Sequence, residues 1–212
     1  AGIVAGYVSS VMITDSIISS NQSEGSGGGM VMANVTTFTM TGTTVSSNTA
    51  LAFGGIAVGN ANITISDSTI SGNSATESSA PDEIDCDNGV DDDSDGQEDM
   101  LDSDCFGGVG GGIGEAAEFP GATYNIYNTT ISGNTATNYG AGIHVVSGST
   151  MNLNSVTVTE NISQGLAGGI YSESSATVRL RNTIVAGNTA VSGSTDCYGP
   201  LTSKGNNLIG DQ

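Results

Sequence analysis

The segments ITDSIISSN (13–21), MTGTTVSSN (40–48), ISDSTISGN (65–73), IYNTTISGN (126–134), LNSVTVTEN (153–161) and LRNTIVAGN (180–188) align without a gap, and each closes on an asparagine. Those asparagines, Asn21, Asn48, Asn73, Asn134, Asn161 and Asn188, are 27, 25, 61, 27 and 27 residues apart. Four of the five intervals are one period of about 26 residues, and the fifth contains an insertion of roughly 35. A second landmark keeps the same beat. Glycine-rich pairs precede an apolar residue at Ile3, Met30, Ile56, Ile113, Ile143 and Ile170, and Cys197 falls 27 residues after Ile170. Two independent markers in step identify a structural repeat.

Each unit holds three short strand candidates. One follows the glycines, as in Gly-Ile-Ala-Val and Gly-Ile-His-Val. The next alternates apolar and polar residues, as in Ile63-Thr64-Ile65 and Val178-Arg179-Leu180, and the third contains Thr69-Ile70 or its equivalent. Period-two alternation turns one face inward and one outward. With no helical stretch between them, three such strands close a coil of triangular section. The expected fold is therefore all-β: a right-handed parallel β-helix of about seven coils, with one irregular insertion. Residues 1–76 and 107–212 form the coils and 77–106 the insertion. The asparagine column suits a turn, because its amides can bond from coil to coil. A second polar column, Asp15, Gly42, Asp67, Asn128, Asn154 and Asn182, marks another turn.

Composition agrees. Gly, Ser, Thr, Asn and Val dominate, Trp is absent, and 36% of residues are hydrophobic. That mixture disfavours helices and suits short strands joined by tight turns. The net charge of −19, with only three Lys and Arg, argues against nucleic acid and against anionic membrane surfaces. No stretch approaches the ~20 apolar residues of a membrane span. No basic segment leads into an apolar run, so the sequence shows no signal peptide.

Twelve of the 22 acidic residues lie between Asp82 and Asp104, a stretch without Lys or Arg. Counting from Asp91, carboxylates occupy loop positions 1, 3, 5, 9 and 12: Asp91, Asp93, Asp95, Asp99 and Asp102. Gly96 takes position 6, where an EF-hand loop turns sharply, and Gln97 offers its carbonyl at position 7. Calcium takes six to eight hard oxygen ligands, and this spacing supplies them. Asp102 stands where a bidentate Glu is usual, and the flanking helices of an EF-hand are missing. Asp85, Asp87, Asn88 and Asp104 remain for a second ion.

GGIAVGNANITISDSTISGNSA (54–75) and GAGIHVVSGSTMNLNSVTVTEN (140–161) resemble the coils of bacterial surface β-helix proteins. They are similar to polymorphic outer-membrane protein repeats and to secreted proteins with choice-of-anchor C-terminal regions. NTIVAGNTAVSGSTDCYGPLTSKGNNLIGD (182–211) is similar to the end of the second group's β-helix. The acidic stretch resembles the calcium loops of secreted bacterial proteins, related in pattern to thrombospondin type 3 repeats. Met100 replaces a Cys of that pattern, and the remaining Cys86 and Cys105 enclose the acidic run and can close it as a disulfide. Cys197 has no evident partner. These resemblances imply an extracellular or cell-surface location and an adhesive or structural role. Both ends look open, which implies either a piece of a longer protein or self-association through coil ends.

The competing reading is a carbohydrate-binding or carbohydrate-cleaving β-helix. Arg179 and Arg181 face one side of a strand, with Lys204 further on, and Asp15 and Asp67 share a column two coils apart. No aromatic platform accompanies them, so an enzyme is not the expectation. His144, the only histidine, is expected to be a surface residue beside inward Ile143 and Val145. Asn21, Asn34, Asn62, Asn128 and Asn161 match the glycosylation pattern.

Overall fold

A five-residue run such as Asn62–Ser66 is too short to bury itself. Its two inward side chains need a floor and a ceiling, and the neighbouring repeats provide both. The structure is a computed structural model that describes residues 1–76, 108–115 and 121–211. All regular elements among them are strands, and every pairing between coils is parallel.

Four sheets run the length of the rod. The first has seven strands, from Ile3–Gly6 to Cys197–Tyr198, and the second seven, from Ser10–Thr14 to Leu201–Ser203. The third also has seven, from Ile17–Ser19 to Leu208–Ile209. The fourth has five strands of two residues, from Thr49–Ala50 to Thr189–Ala190. Successive repeats thus stack as seven rungs wound through about six turns. The short fourth sheet makes the section four-sided rather than triangular. It forms because small residues after each asparagine let the chain lie flat against the coils above and below, as Ser74 and Ala75 do against Thr49, Ala50, Thr135 and Ala136.

Register is strict. Phe38, Ile63, Tyr124, Met151, Val178 and Leu201 follow one another along the second sheet, and Val45, Ile70, Ile131, Val158 and Val185 along the third. All but Leu201 are buried. Each such side chain contributes on the order of 2 kcal/mol by leaving water. Ile56 pairs with Ile113 across the long interval, so the third coil sits directly beneath the fourth. The paired glycines before the first sheet have a steric cause: a Cβ at Gly112 would come within 2.6 Å of the Gly142 carbonyl oxygen.

The asparagines line the inside of one corner. The backbone N–H and Nδ2 of Asn73 both donate to Oδ1 of Asn134 (both 3.0 Å), while Nδ2 also donates to the Val45 carbonyl. The same trio repeats at Asn48, Asn134 and Asn161. Asn188 has no seventh asparagine to donate to. Its N–H and Nδ2 donate instead to Oδ1 of Asp196 (both 2.8 Å), whose Oδ2 accepts the Asp211 N–H. A carboxylate at that end meets the donor ends of the whole column. The other turn column differs from expectation at one position. Ser155, not Asn154, takes the left-handed conformation shared by Asp15, Gly42, Asp67, Asn128 and Asn182. Asn154 lies on the preceding strand, where its Oδ1 accepts from Asn182.

Replacing Asn134 by Ala deprives Asn73 of its acceptor and leaves buried N–H groups unpaired. The variant is expected to lose about 3 kcal/mol, read as a lower midpoint in urea unfolding. Asn134→Asp should lose a comparable amount, because it places a carboxylate against Oδ1 of Asn161.

Candidate functional site in the fourth and fifth coils

A repeat that serves only as scaffold uses the same residue types in every coil, so a departure from its column marks a place with another task. Glu115 is such a departure. It pairs with Val58 in an inward column that runs through Ala5 and Met32. Its side chain is fully buried. Oε1 accepts the Ser149 hydroxyl (2.7 Å) and the Ala122 N–H (3.2 Å), while Oε2 has no partner among the described residues. Burial raises its pKa to about 7, opposed by those two hydrogen bonds and reinforced by the charge of Glu173. Tyr124, in the neighbouring apolar column, also has a buried hydroxyl without a partner among the described residues. Burial, and then the Glu115 charge, push that phenol well above its ordinary value.

The outer side of the same corner carries the remaining polar groups. His144 faces outward, but only 6% of it is exposed, because Tyr171 of the next coil stacks on its ring (5.4 Å between centroids). The expected surface histidine is therefore covered. Burial lowers its pKa to about 4, with Glu173 pulling the other way, so the ring is neutral at neutral pH. Its Nε2 lies 3.6 Å from Glu173 Oε1, too long for a hydrogen bond. Glu173 Oε2 accepts the Ser147 N–H at 2.7 Å.

Tyr171 also stacks on Tyr139 (5.0 Å) and on Tyr198 (5.3 Å, planes 7° apart). Three tyrosines therefore gather here, whereas a single one, Tyr127, lies beside Asp67. A shallow depression of about 620 Å³ runs beside them, lined by Tyr171, Tyr198, Glu173 and Ser147 among others. The rings face one another, so the depression meets their edges and hydroxyls more than open ring faces. The sealed Glu115 can exchange a proton near neutrality, but a general acid must also reach its substrate. As placed, it holds a corner, tying the turn at Ala122 to Ser149 of the next coil.

The other candidates are dispersed. Asp67 accepts from Asn128 Nδ2, and Gly42 stands between it and Asp15. Arg179 and Arg181 share the outer face of the second sheet, on either side of inward Leu180. Asn161, one of the glycosylation matches, is fully buried in the asparagine column and cannot carry a glycan. Cys197 is a free, buried thiol whose pKa burial raises to about 12, with the Asp196 charge adding to the shift. Asp85, Asp87, Asn88, Asp91, Asp93, Asp95, Gln97, Asp99, Asp102 and Asp104, with Cys86 and Cys105, lie outside the described residues. Among the described residues no three His, Cys, Asp or Glu side chains gather to hold a metal.

Glu115 escaped the sequence reading, although aligning Gly-Ile-Gly-Glu (112–115) on Gly-Ile-Ala-Val (55–58) places a carboxyl in an apolar column. Tyr171 and Tyr198 were also open to detection, being one period apart behind Ile170 and Cys197.

A family model described as a right handed beta helix region matches residues 1–211. No curated protein and no solved structure matches the chain.

The two shifted groups give the fold opposite pH dependences. Glu115 binds its proton more tightly when folded, so its contribution is complete below the ordinary carboxyl range and is lost as pH rises through about 7. His144 contributes above its ordinary value and loses that contribution as pH falls toward about 4. Between roughly pH 5 and 8, Glu115→Gln should remove an alkaline loss of stability of about 3 kcal/mol while leaving the acid-side loss in place. Urea midpoints across that range measure both.

Proposed function

The chain belongs to the right-handed β-helix family, and on that premise we propose that it works as an extracellular structural or adhesive rod stiffened by calcium. The observation that carries this reading is the unbroken column of six buried or half-buried asparagines, closed by Asp196. It gives every coil the same internal fastening. The described exterior, largely Ser, Thr and Asn on the second and third sheets, offers no convergent catalytic group. A fold of this kind assigns no activity by itself.

Calcium belongs to this reading through the acidic stretch. Asp91, Asp93, Asp95, Gln97, Asp99 and Asp102 form the first ligand set, with Asp85, Asp87, Asn88 and Asp104 available to a second ion. Cys86 and Cys105 bracket the stretch and would close it as a disulfide in an oxidising compartment. Self-association through coil ends belongs to the same reading.

One observation favours a second reading. The depression beside Tyr171, Tyr198 and Glu173 combines aromatic edges, hydroxyls and a carboxylate, groups that suit a carbohydrate. Tyr198→Ala should weaken retention on a polysaccharide affinity gel if this reading is right and leave it unchanged if the rod is purely structural.

Calcium titration followed by calorimetry tests the leading reading. We expect saturable binding of one or two ions and a higher melting temperature with calcium than with chelator. Asp93→Asn combined with Asp95→Asn should remove the difference. Identical melting with and without calcium would refute the calcium-stiffened rod.

A further inference from the structure

We propose that the outer face of the second sheet around Arg179, Arg181 and Lys204 docks a second copy of this chain through that copy's acidic stretch, 82–104. The proposal deepens the reading of the chain as self-associating but requires no contact between coil ends.

The chain has only three Lys and Arg residues, against 22 acidic ones. The fold puts all three in one patch. Arg179 and Arg181 flank inward Leu180 on one strand, which separates them by about 7 Å. The Lys204 N–H donates to the Leu180 carbonyl at 2.7 Å, which sets Lys204 on the next coil beside Arg181. Both Arg181 and Lys204 are exposed. The residues level with them are Asn152 and Thr202 beside Arg179, and Asn154 beside Arg181. None of these is acidic.

Among the described residues no Lys or Arg lies within ion-pair distance of a carboxylate, the one close approach of that kind being neutral His144 to Glu173, so no described carboxylate answers the three cations. Leaving them unanswered in so acidic a molecule makes this the one place on the described surface that attracts a polyanion.

The matching polyanion is in the sequence. Residues 82–104 hold twelve carboxylates and no cation, while the other ten acids are scattered through the chain. The chain's own stretch is attached between Thr76 and Gly108. Thr76 directly follows the fourth-sheet strand Ser74–Ala75. The four sheets follow one another around the coil, so the fourth lies across from the second. The strand that leads into the chain's own stretch is thus on the side of the coil away from the patch, and the occupant proposed is the stretch of a neighbouring copy. The contact is electrostatic, salt-sensitive, and opposed by the like net charge of the two copies.

The test is sedimentation of the full chain at about 20 mM and at about 500 mM salt, where screening lengths differ several-fold. We expect reversible association at low salt that disappears at high salt. Arg179→Glu with Arg181→Glu should raise the dissociation constant on the order of tenfold or more, whereas Arg179→Lys with Arg181→Lys should keep association. A synthetic peptide of residues 82–104 should compete, and calcium should weaken association by reducing that stretch's charge. A wild-type chain that stays monomeric at low salt overturns the proposal. So does a charge-reversed variant that associates like the wild type, and if that association needs calcium, the rod reading stands without this surface. Tight binding of a sulfated polysaccharide by chain that never self-associates also overturns it, and assigns the patch to a different polyanion. Circular dichroism confirms that the variants, altered only at outward positions, keep the fold.

Discussion

At the inner corner of each coil the backbone turns out of the third sheet and leaves N–H and C=O groups facing a dry interior. Those groups must be paired or the coil cannot close. One asparagine side chain answers from each coil. Its oxygen takes two N–H donors from the coil before, and its nitrogen reaches a carbonyl there and the oxygen of the coil after. Everything else depends on that fastening. The side chain spans one coil spacing, so the strands lie in register. Strict register lets residues as small as Val and Ile fill the interior, and leaves mainly Ser, Thr and Asn on the outside of the second and third sheets.

This explains why so much of the fold was legible. A part that recurs in every coil leaves a period in the sequence, and the nonapeptides ending at Asn21 through Asn188 carry it openly. The fourth sheet was not legible, because a two-residue strand such as Ser74–Ala75 is too short to show alternation and its small residues read as a loop. Nor was the role of Asp196 visible. It completes the column from only eight residues beyond Asn188, off the period that reveals the other members.

The candidate site was less legible for the converse reason. Function, where a solenoid has it, lies in residues that break the repeat, and a period search is blind to them. Glu115 shows up only when its column is written out and found to hold Ala5, Met32 and Val58 in the coils before it. His144 was read as a surface residue because alternation gives the direction of a side chain but not what lies above it. Tyr171, one coil on, covers the ring and turns an exposed imidazole into a buried, neutral one. The acid–imidazole–tyrosine grouping at this corner arises from three coils, and no single repeat contains it.

The bonds between coils, in the asparagine column and in the four sheets alike, all run along the rod. A pull applied at its two ends therefore loads the coils one after another rather than together. Each coil would give way alone, paying out 25 or 27 residues of slack, or 61 at the long interval, before the next is tested. Such a rod absorbs work as it lengthens instead of snapping. It can also rewind coil by coil when the tension falls, because each exposed rung is the template for the next.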